Sequence, residues 1–176
     1  MALITLRFSI KLPVEPARLY DAWLDSKTHA AFTGAPASID PRVGGAFTAW
    51  GDYIRGTTLE LDEGRRIVQS WRASEFRADD ADSRVCLVFE PDGKKGTLLT
   101  LEHSGVPKPL AGSYEAGWVQ YYFKPMRRYF QLQRDRTEAK AKATARKATV
   151  QKASKKAAVS KSPTGNGSPK KRTAVR

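Results

Sequence analysis

From Leu3 to Leu12 apolar and polar residues alternate, placing Ile4, Leu6, Phe8, Ile10 and Leu12 on one face. A period of two is the pattern of a strand with one buried side. Similar short segments follow at Ala37 to Asp40, Ala46 to Trp50, Tyr53 to Leu61, Arg65 to Ala73, Arg84 to Glu90 and Gly96 to His103. Asp62-Glu63-Gly64 and Pro91-Asp92-Gly93 supply tight turns between them. Connections of that length join antiparallel neighbours. A lone curved sheet must have its apolar face covered by another element. The one segment long enough runs from Tyr114 to about Asp135, where Trp118, Tyr121, Tyr122, Tyr129 and Phe130 recur at mixed three- and four-residue steps. Ser113 is its expected N-cap, Pro125 predicts a kink, and Phe123, adjacent to Tyr122, is expected to point outward. Two short helices are predicted after the first strand. The first is Glu15 to Asp25, with Leu19, Ala22 and Trp23 at helical spacing and Pro16 in its first turn. The second is Lys27 to Phe32, ending at Gly34. The fold class is α+β.

Charge divides the chain. Its 176 residues hold 31 Lys+Arg and 18 Asp+Glu, a formal charge of +13. Residues 137–176 contain 12 basic residues and one acid, Glu138, so this segment carries +11; residues 1–136 carry +2. The basic segment has no aromatic residue and is rich in Lys, Ala, Ser and Thr. It cannot bury enough apolar surface to offset its ordering entropy. Two parts are therefore expected: a globular domain over 1–136 and a basic low-complexity tail over 137–176. The start of the tail, free of Pro and Gly, can continue the preceding helix, and Ser162-Pro163 must break it. The single cysteine, Cys86, excludes an intrachain disulfide, and isolated His29 and His103 argue against a metal site. No metal or cofactor is expected. No stretch is long and apolar enough to span a bilayer, and the N-terminus lacks a signal-peptide core. A cytoplasmic protein is expected, with nucleoid association through the tail as an extension of that expectation.

Four groups of residues resemble one family. They are Leu19-Tyr20-Asp21-Ala22-Trp23 with Ala31-Phe32-Thr33-Gly34; Val43-Gly44-Gly45-Ala46-Phe47; Ile54-Arg55-Gly56-Thr57 with Ile67-Val68-Gln69-Ser70-Trp71-Arg72; and Gly96-Thr97-Leu98-Leu99-Thr100-Leu101 with His103-Ser104-Gly105-Val106-Pro107. Gly117-Trp118 and Tyr122-Phe123-Lys124-Pro125-Met126 follow the last. In order and spacing they are similar to bacterial proteins related to the activator of Hsp90 ATPase, within the START-like (SRPBCC, Bet v 1-like) superfamily. The resemblance implies a helix-grip fold, in which a bent antiparallel sheet wraps the long C-terminal helix and the two short helices close one end. It also implies a cavity for an apolar ligand between sheet and helix. Eukaryotic co-chaperone members carry a separate N-terminal domain that engages the chaperone, whereas this sequence opens on the first strand of the grip. An Hsp90 homologue is therefore the alternative partner.

Trp23, Phe32, Trp50, Trp71, Phe89, His103, Trp118, Tyr121 and Tyr122 are the candidate ligand-binding residues. They either line a pocket, which is mostly apolar with few placed polar groups, or simply fill the core. No Ser, Asp or Glu stands in a triad spacing with His103, so no catalytic residue is assigned. A structural or ligand hydrogen bond is its expected role, and His29 is expected at the surface or rim. Asp79, Asp80 and Asp82 are expected to form a solvated turn, Gly44-Gly45 and Gly56 to serve strand bends, and Cys86 to be a small buried hydrophobe. In the tail, Lys140, Lys142, Arg146, Lys147, Lys152, Lys155, Lys156, Lys161, Lys170, Lys171 and Arg172 resemble the Lys/Ala texture of linker-histone tails. Such a segment neutralises phosphates without reading bases. Membrane attachment is not expected. The leading expectation is a non-enzymatic binding protein for a small hydrophobic ligand or a protein partner, with a tail that contacts nucleic acid or another polyanion. An aromatase/cyclase-like enzyme is the other alternative.

Overall fold

The computed structural model describes residues 2–159, with side chains for 2–149 and 151. The chain divides into two units, Met1–Asp135 and Arg136–Arg176. The first is built on seven strands: β1 (Leu3–Leu12), β2 (Ala37–Ile39), β3 (Ala46–Ala49), β4 (Ile54–Asp62), β5 (Arg66–Ala73), β6 (Ser83–Asp92) and β7 (Gly96–Pro107). They form one antiparallel sheet in the order β1-β7-β6-β5-β4-β3-β2. Only β1 leaves sequence order, pairing with β7, so the remaining strands form the meander expected from their short turns. Register shifts between Ile4 and Leu6, and between Thr58 and Glu60, mark irregularities of the kind that bend and twist a sheet. In β6, Val85, Leu87 and Phe89 are buried while Arg84, Cys86 and Val88 face outward.

Helix α1 (Pro16–Leu24) and helix α2 (Ser26–Thr33) follow β1. Asp25 caps α2: its Oδ1 accepts from the Thr28 backbone N–H at 2.7 Å and from the Thr28 hydroxyl at 2.6 Å. Gly34, at φ 78°, ends it. After β7 come a 3₁₀ turn (Lys108–Leu110), helix α3 (Ala111–Gly117), a π-helical stretch (Trp118–Phe123) and helix α4 (Lys124–Val159). Together they supply the long covering element of a helix-grip fold. Ser113 is not the N-cap: the helix begins at Ala111, and the Ser113 hydroxyl donates to the Leu110 carbonyl at 2.8 Å. Pro125 has no N–H for the preceding turn, and the π stretch lies directly before it.

The core sits between sheet and helix. Leu12, Leu19, Ile67, Leu87, Leu99, Leu101, Met126 and Phe130 are buried there. Trp23 is its centre: it stacks on Phe32 (6.3 Å between centroids) and on Trp118 (6.4 Å), and its indole donates to Gln69 Oε1 at 3.0 Å. Gln69 Nε2 in turn donates to the Thr58 hydroxyl at 3.2 Å, so this buried amide is satisfied on both sides. Phe123 points inward, against expectation. It meets Phe8 edge-on at 5.3 Å and Trp118 at 6.0 Å, because β1 covers the helix flank that a single apolar stripe would leave in water. Phe89, also buried, packs edge-on against Tyr20 of α1.

In the second unit the described residues 136–159 are helical, and side chains 136–149 are exposed. Lys140, Lys142, Arg146 and Lys147 are among them. The side chains of Lys152, Lys155 and Lys156, the whole of Lys161, Lys170, Lys171 and Arg172, and the break expected at Ser162-Pro163 lie outside the described residues.

Two glycines do opposite jobs. Gly56 lies against its neighbours, and a Cβ there would stand 2.0 Å from the Ser70 carbonyl oxygen and 2.7 Å from the Phe47 ring. At Gly34 a Cβ meets nothing within 4 Å, and only the left-handed backbone opposes it. Gly56→Ala should therefore destabilise the fold by about 3 kcal/mol, and Gly34→Ala by about 1 kcal/mol. Urea unfolding midpoints of the two variants measure the difference.

Candidate functional site

Where α3 and the π stretch pass the ends of β4 and β5, the helix and sheet leave a cleft of about 1040 Å³. Its sheet wall is Ile54, Trp71, Ala73 and His103; its helix wall includes Tyr114, Trp118, Tyr121 and Tyr122; Trp50 and Tyr53 stand at the β3–β4 turn. Six of the nine sequence candidates therefore line it: Trp50, Trp71, His103, Trp118, Tyr121 and Tyr122. Trp23, Phe32 and Phe89 lie outside its wall, in the packed core. Tyr53 and Tyr114 were not singled out from sequence as part of the wall. Their signal was proximity to residues that were: Tyr114 is one helical turn before Trp118, and Tyr53 three residues after Trp50.

Trp50 has φ 57°, the one described non-glycine residue in the left-handed region, and Gly51 follows at φ 65°. For a bulky side chain that conformation costs about 1–2 kcal/mol. It holds the indole across the cleft, edge-on to Tyr121 at 5.3 Å and to Tyr122 at 6.4 Å. Tyr121 remains 54% exposed on the opposite lip.

His103 is a buried member of the sheet wall. The Trp118 indole donates to its Nδ1 at 3.1 Å, and its Nε2 lies 2.8 Å from the Ser83 hydroxyl. Ser83 donates onward to the Trp71 carbonyl at 2.6 Å. An indole N–H can only donate, so Nδ1 is the bare nitrogen and Nε2 carries the proton to Ser83. Both ring nitrogens are committed to the protein, and burial lowers the pKa to about 4. The expected hydrogen-bonding role is structural, and the ring has no free lone pair for acid–base work on a ligand.

A ladder of planar groups backs this wall. Tyr114 stacks on His103 at 5.7 Å and on Phe76 at 6.1 Å, and the Arg72 guanidinium lies 5.6 Å from the centroid of the Phe76 ring. Arg72 organises the acidic turn: it donates to Asp82 Oδ1 and to the Asp80 carbonyl, both at 2.8 Å. Two of the three aspartates, Asp80 and Asp82, are thus not merely solvated, since Asp80 also accepts from the Arg77 backbone N–H. Among the described residues no cluster of His, Cys, Asp and Glu is arranged to hold a metal ion.

Two further sequence expectations change. His29 is buried, not at the rim, because α2 folds it against Trp23 (5.0 Å) and Phe32 (4.7 Å). Its Nδ1 donates to the Trp23 carbonyl at 2.9 Å, Nε2 is buried without a partner, and burial lowers its pKa to about 4. Cys86 is half-exposed on the outer face of β6 beside Arg66, since strand alternation puts it opposite the core-facing Leu87. Glu60 and Glu102 are surface acids: Glu60 bonds Arg66 and Arg84, and Glu102 bonds Arg7.

Tyr53, Tyr114 and Tyr122 all have raised pKa values, chiefly through burial, and Tyr53 also donates to the Glu75 carboxylate. Their hydroxyls stay protonated at neutral pH. The Tyr114 and Tyr122 hydroxyls are buried and have no hydrogen-bond partner. The Trp50 indole lies beside the Tyr122 hydroxyl without completing a bond of normal geometry.

The histidines set a pH dependence. In the unfolded chain each takes up a proton near pH 6.5, but in the folded protein only near pH 4. Stability present above pH 6.5 is therefore lost as pH falls towards 4, by about 3 kcal/mol per histidine. Asp25 and Glu60, whose pKa values are lowered by hydrogen bonds to Thr28 and Arg66, act only below that window. Urea midpoints should fall between pH 6.5 and 4.5. His29→Gln or His103→Gln should each remove about half of that fall, whatever its effect at pH 7.

The comparisons with known proteins agree with this architecture. A relative from Dictyostelium discoideum, "Activator of 90 kDa heat shock protein ATPase homolog", is 29% identical over 114 residues, 65% of this chain and 30% of its own length. The Homo sapiens homolog 1 is 27% identical over 115 residues, 65% of this chain and 33% of its own length. The match thus spans about a third of these curated relatives. Among solved structures, an HSP90 activator from Plasmodium falciparum superposes with a TM-score of 0.64 at 24% identity, over 69% of this chain and 91% of that one. The family described as "Activator of Hsp90 ATPase homolog 1-like protein" matches residues 13–131, and the chain belongs to it.

Proposed function

We propose that residues 1–136 are a non-enzymatic binding module whose cleft holds a small hydrophobic ligand, and that residues 137–176 add electrostatic contact with nucleic acid or another polyanion. The cleft carries the first half of this reading. It is of the size that small-molecule pockets reach, and its walls are mainly aromatic. Holding, not converting, is favoured because His103 has both nitrogens engaged inside the fold. A neutral aromatic probe, N-phenyl-1-naphthylamine, should bind the purified protein saturably at one site. Trp50→Ala should weaken it by about tenfold, and Ala116→Trp, which fills the cleft from the exposed side of α3, should abolish it. Unsaturable binding, or binding indifferent to both changes, counts against the cleft. Native mass spectrometry of freshly purified protein would reveal a ligand carried from the cell.

The tail reading rests on its +11 charge and on the exposure of Lys140, Lys142, Arg146 and Lys147. If about eight charges engage duplex phosphates, log K falls with log salt at a slope of about −7. Ending the chain after Asp135 should remove this binding. Retention of DNA affinity by the shortened chain would refute the assignment. Nucleoid association belongs to the same proposal.

Family membership favours a second reading, a partner of an Hsp90 homologue. A pull-down with that chaperone, and its ATPase rate with and without this protein, separates the two. Complex formation with a changed rate supports the second reading, and neither effect removes it.

A further inference from the structure

A second groove, of about 550 Å³, shares no residue with the cleft. It lies where α1 meets α2, beside β2 and the β4–β5 turn, and Leu24, Ile39 and Leu61 give it an apolar side. Its charged residues are all acids: Asp21 on α1, Asp25 between the two helices and Glu63 on the turn. The turn is seated against α1, since a Cβ on Gly64 would stand 3.8 Å from Ala17. Acids at this end of α1 are unfavourable, because a helix C-terminus already carries partial negative charge and the last turn of α1 holds no basic residue. Among the described residues Asp21, Glu63 and the adjoining Asp62 form no ion pair. Lys27 acts on Asp25, whose Oδ1 is taken by Thr28, but no Lys, Arg or His stands in the wall.

Tyr20, in the same wall, is only 6% exposed, and its ring packs edge-on to Phe89 at 5.7 Å. Among the described residues nothing bonds its hydroxyl, which, unlike those of Tyr114 and Tyr122, is not sealed from solvent. Burial, and after it the charges of Glu63, Asp21 and Asp62, raise its pKa, so those carboxylates act on the hydroxyl without bonding it. A nearly buried side chain thus brings one unpartnered oxygen to a groove edged by unpaired carboxylates. What is missing is a cationic donor. Among the described residues no group of His, Cys, Asp and Glu could hold a metal ion. A primary ammonium offers three N–H donors on an aliphatic stem, one each for Tyr20, Asp21 and Glu63, and such a stem lies readily on apolar surface. We propose that this groove binds a small aliphatic primary amine as its ammonium ion, the head between Tyr20, Asp21 and Glu63 and the chain over Leu24, Ile39 and Leu61.

Octylammonium chloride and 1-octanol, the same chain with a neutral head, test this by NMR titration of the isotope-labelled full chain. Octylammonium should shift the amides of α1, the α1–α2 junction and the β4–β5 turn. It should bind there about twentyfold more tightly than octanol at low salt, the gain of charge-assisted hydrogen bonds, and that advantage should shrink in about 1 M salt. The double variant Asp21→Asn with Glu63→Gln should abolish the preference and melt no lower than wild type, since it relieves repulsion. Tyr20→Phe keeps the ring against Phe89 and should weaken octylammonium about threefold, with octanol unchanged. Ala116→Trp, which fills the cleft, should leave octylammonium binding as it is. Equal binding of the two probes, a preference that survives the double variant, or shifts confined to the cleft overturns the proposal. A double variant that melts lower also overturns it, since the acids would then have partners inside the fold. None of these results bears on what the cleft itself holds.

Discussion

The hydrogen-bond chain from Trp118 through His103 and Ser83 to the Trp71 carbonyl ties the long helix to the sheet. It crosses from the π stretch to β7, then to β6, then to β5. Each link has one sensible direction: an indole that can only donate, an imidazole with one proton, a hydroxyl that accepts and passes on, and a carbonyl that only accepts. The chain is buried throughout, so each bond works at low dielectric and each lost partner would strand a polar atom. A neutral His103 is the condition for all of it. The pH sensitivity, and the engagement of both ring nitrogens of His103 inside the fold, follow from the same fact.

Around that chain the aromatic residues divide their labour. Trp23 and Phe32 stack in the interior and close the space beneath the helix. Trp71, Trp118 and Tyr122 belong to both regions, since they pack in the core and show one surface to the cleft. Trp50 and Tyr121 form the lip. The cleft between sheet and helix lies at one end, where α3 and the π stretch pass the ends of β4 and β5. The ladder from Arg72 to His103 props this end from behind. An acidic turn that looked idle in sequence thereby holds a wall of the site.

The sheet was legible because alternation and turn residues act over a few neighbours: β1, β6 and the hairpin at Pro91–Gly93 rest on local pattern alone. The cover of the sheet by the last helix was legible too, since no other segment had the length. His29 and Phe123 were misread for a shared reason. Their burial depends on elements distant in the chain, the packing of α2 on Trp23 and of β1 on the helix flank, and no spacing along the sequence encodes those contacts. Cys86 was misread by residue type, although its own strand pattern placed it outward. The unsatisfied hydroxyls of Tyr114 and Tyr122 have no sequence signature at all, because what distinguishes them is a missing neighbour.

The π stretch has a geometric consequence for the helix that carries the site. Trp118, Tyr122, Met126 and Phe130, all buried, follow one another at intervals of four. On an α-helix of 3.6 residues per turn, each such step overshoots a full turn by about 40°, so three steps would carry the last side chain about a third of the way round the axis. A π turn closes its hydrogen bonds one residue further on than an α turn and advances less per residue, so it winds back part of that drift. Over Trp118–Phe123 it works like a vernier. Aromatic groups spaced for a wider turn above Pro125 and for an ordinary one below it are brought onto one line facing the sheet.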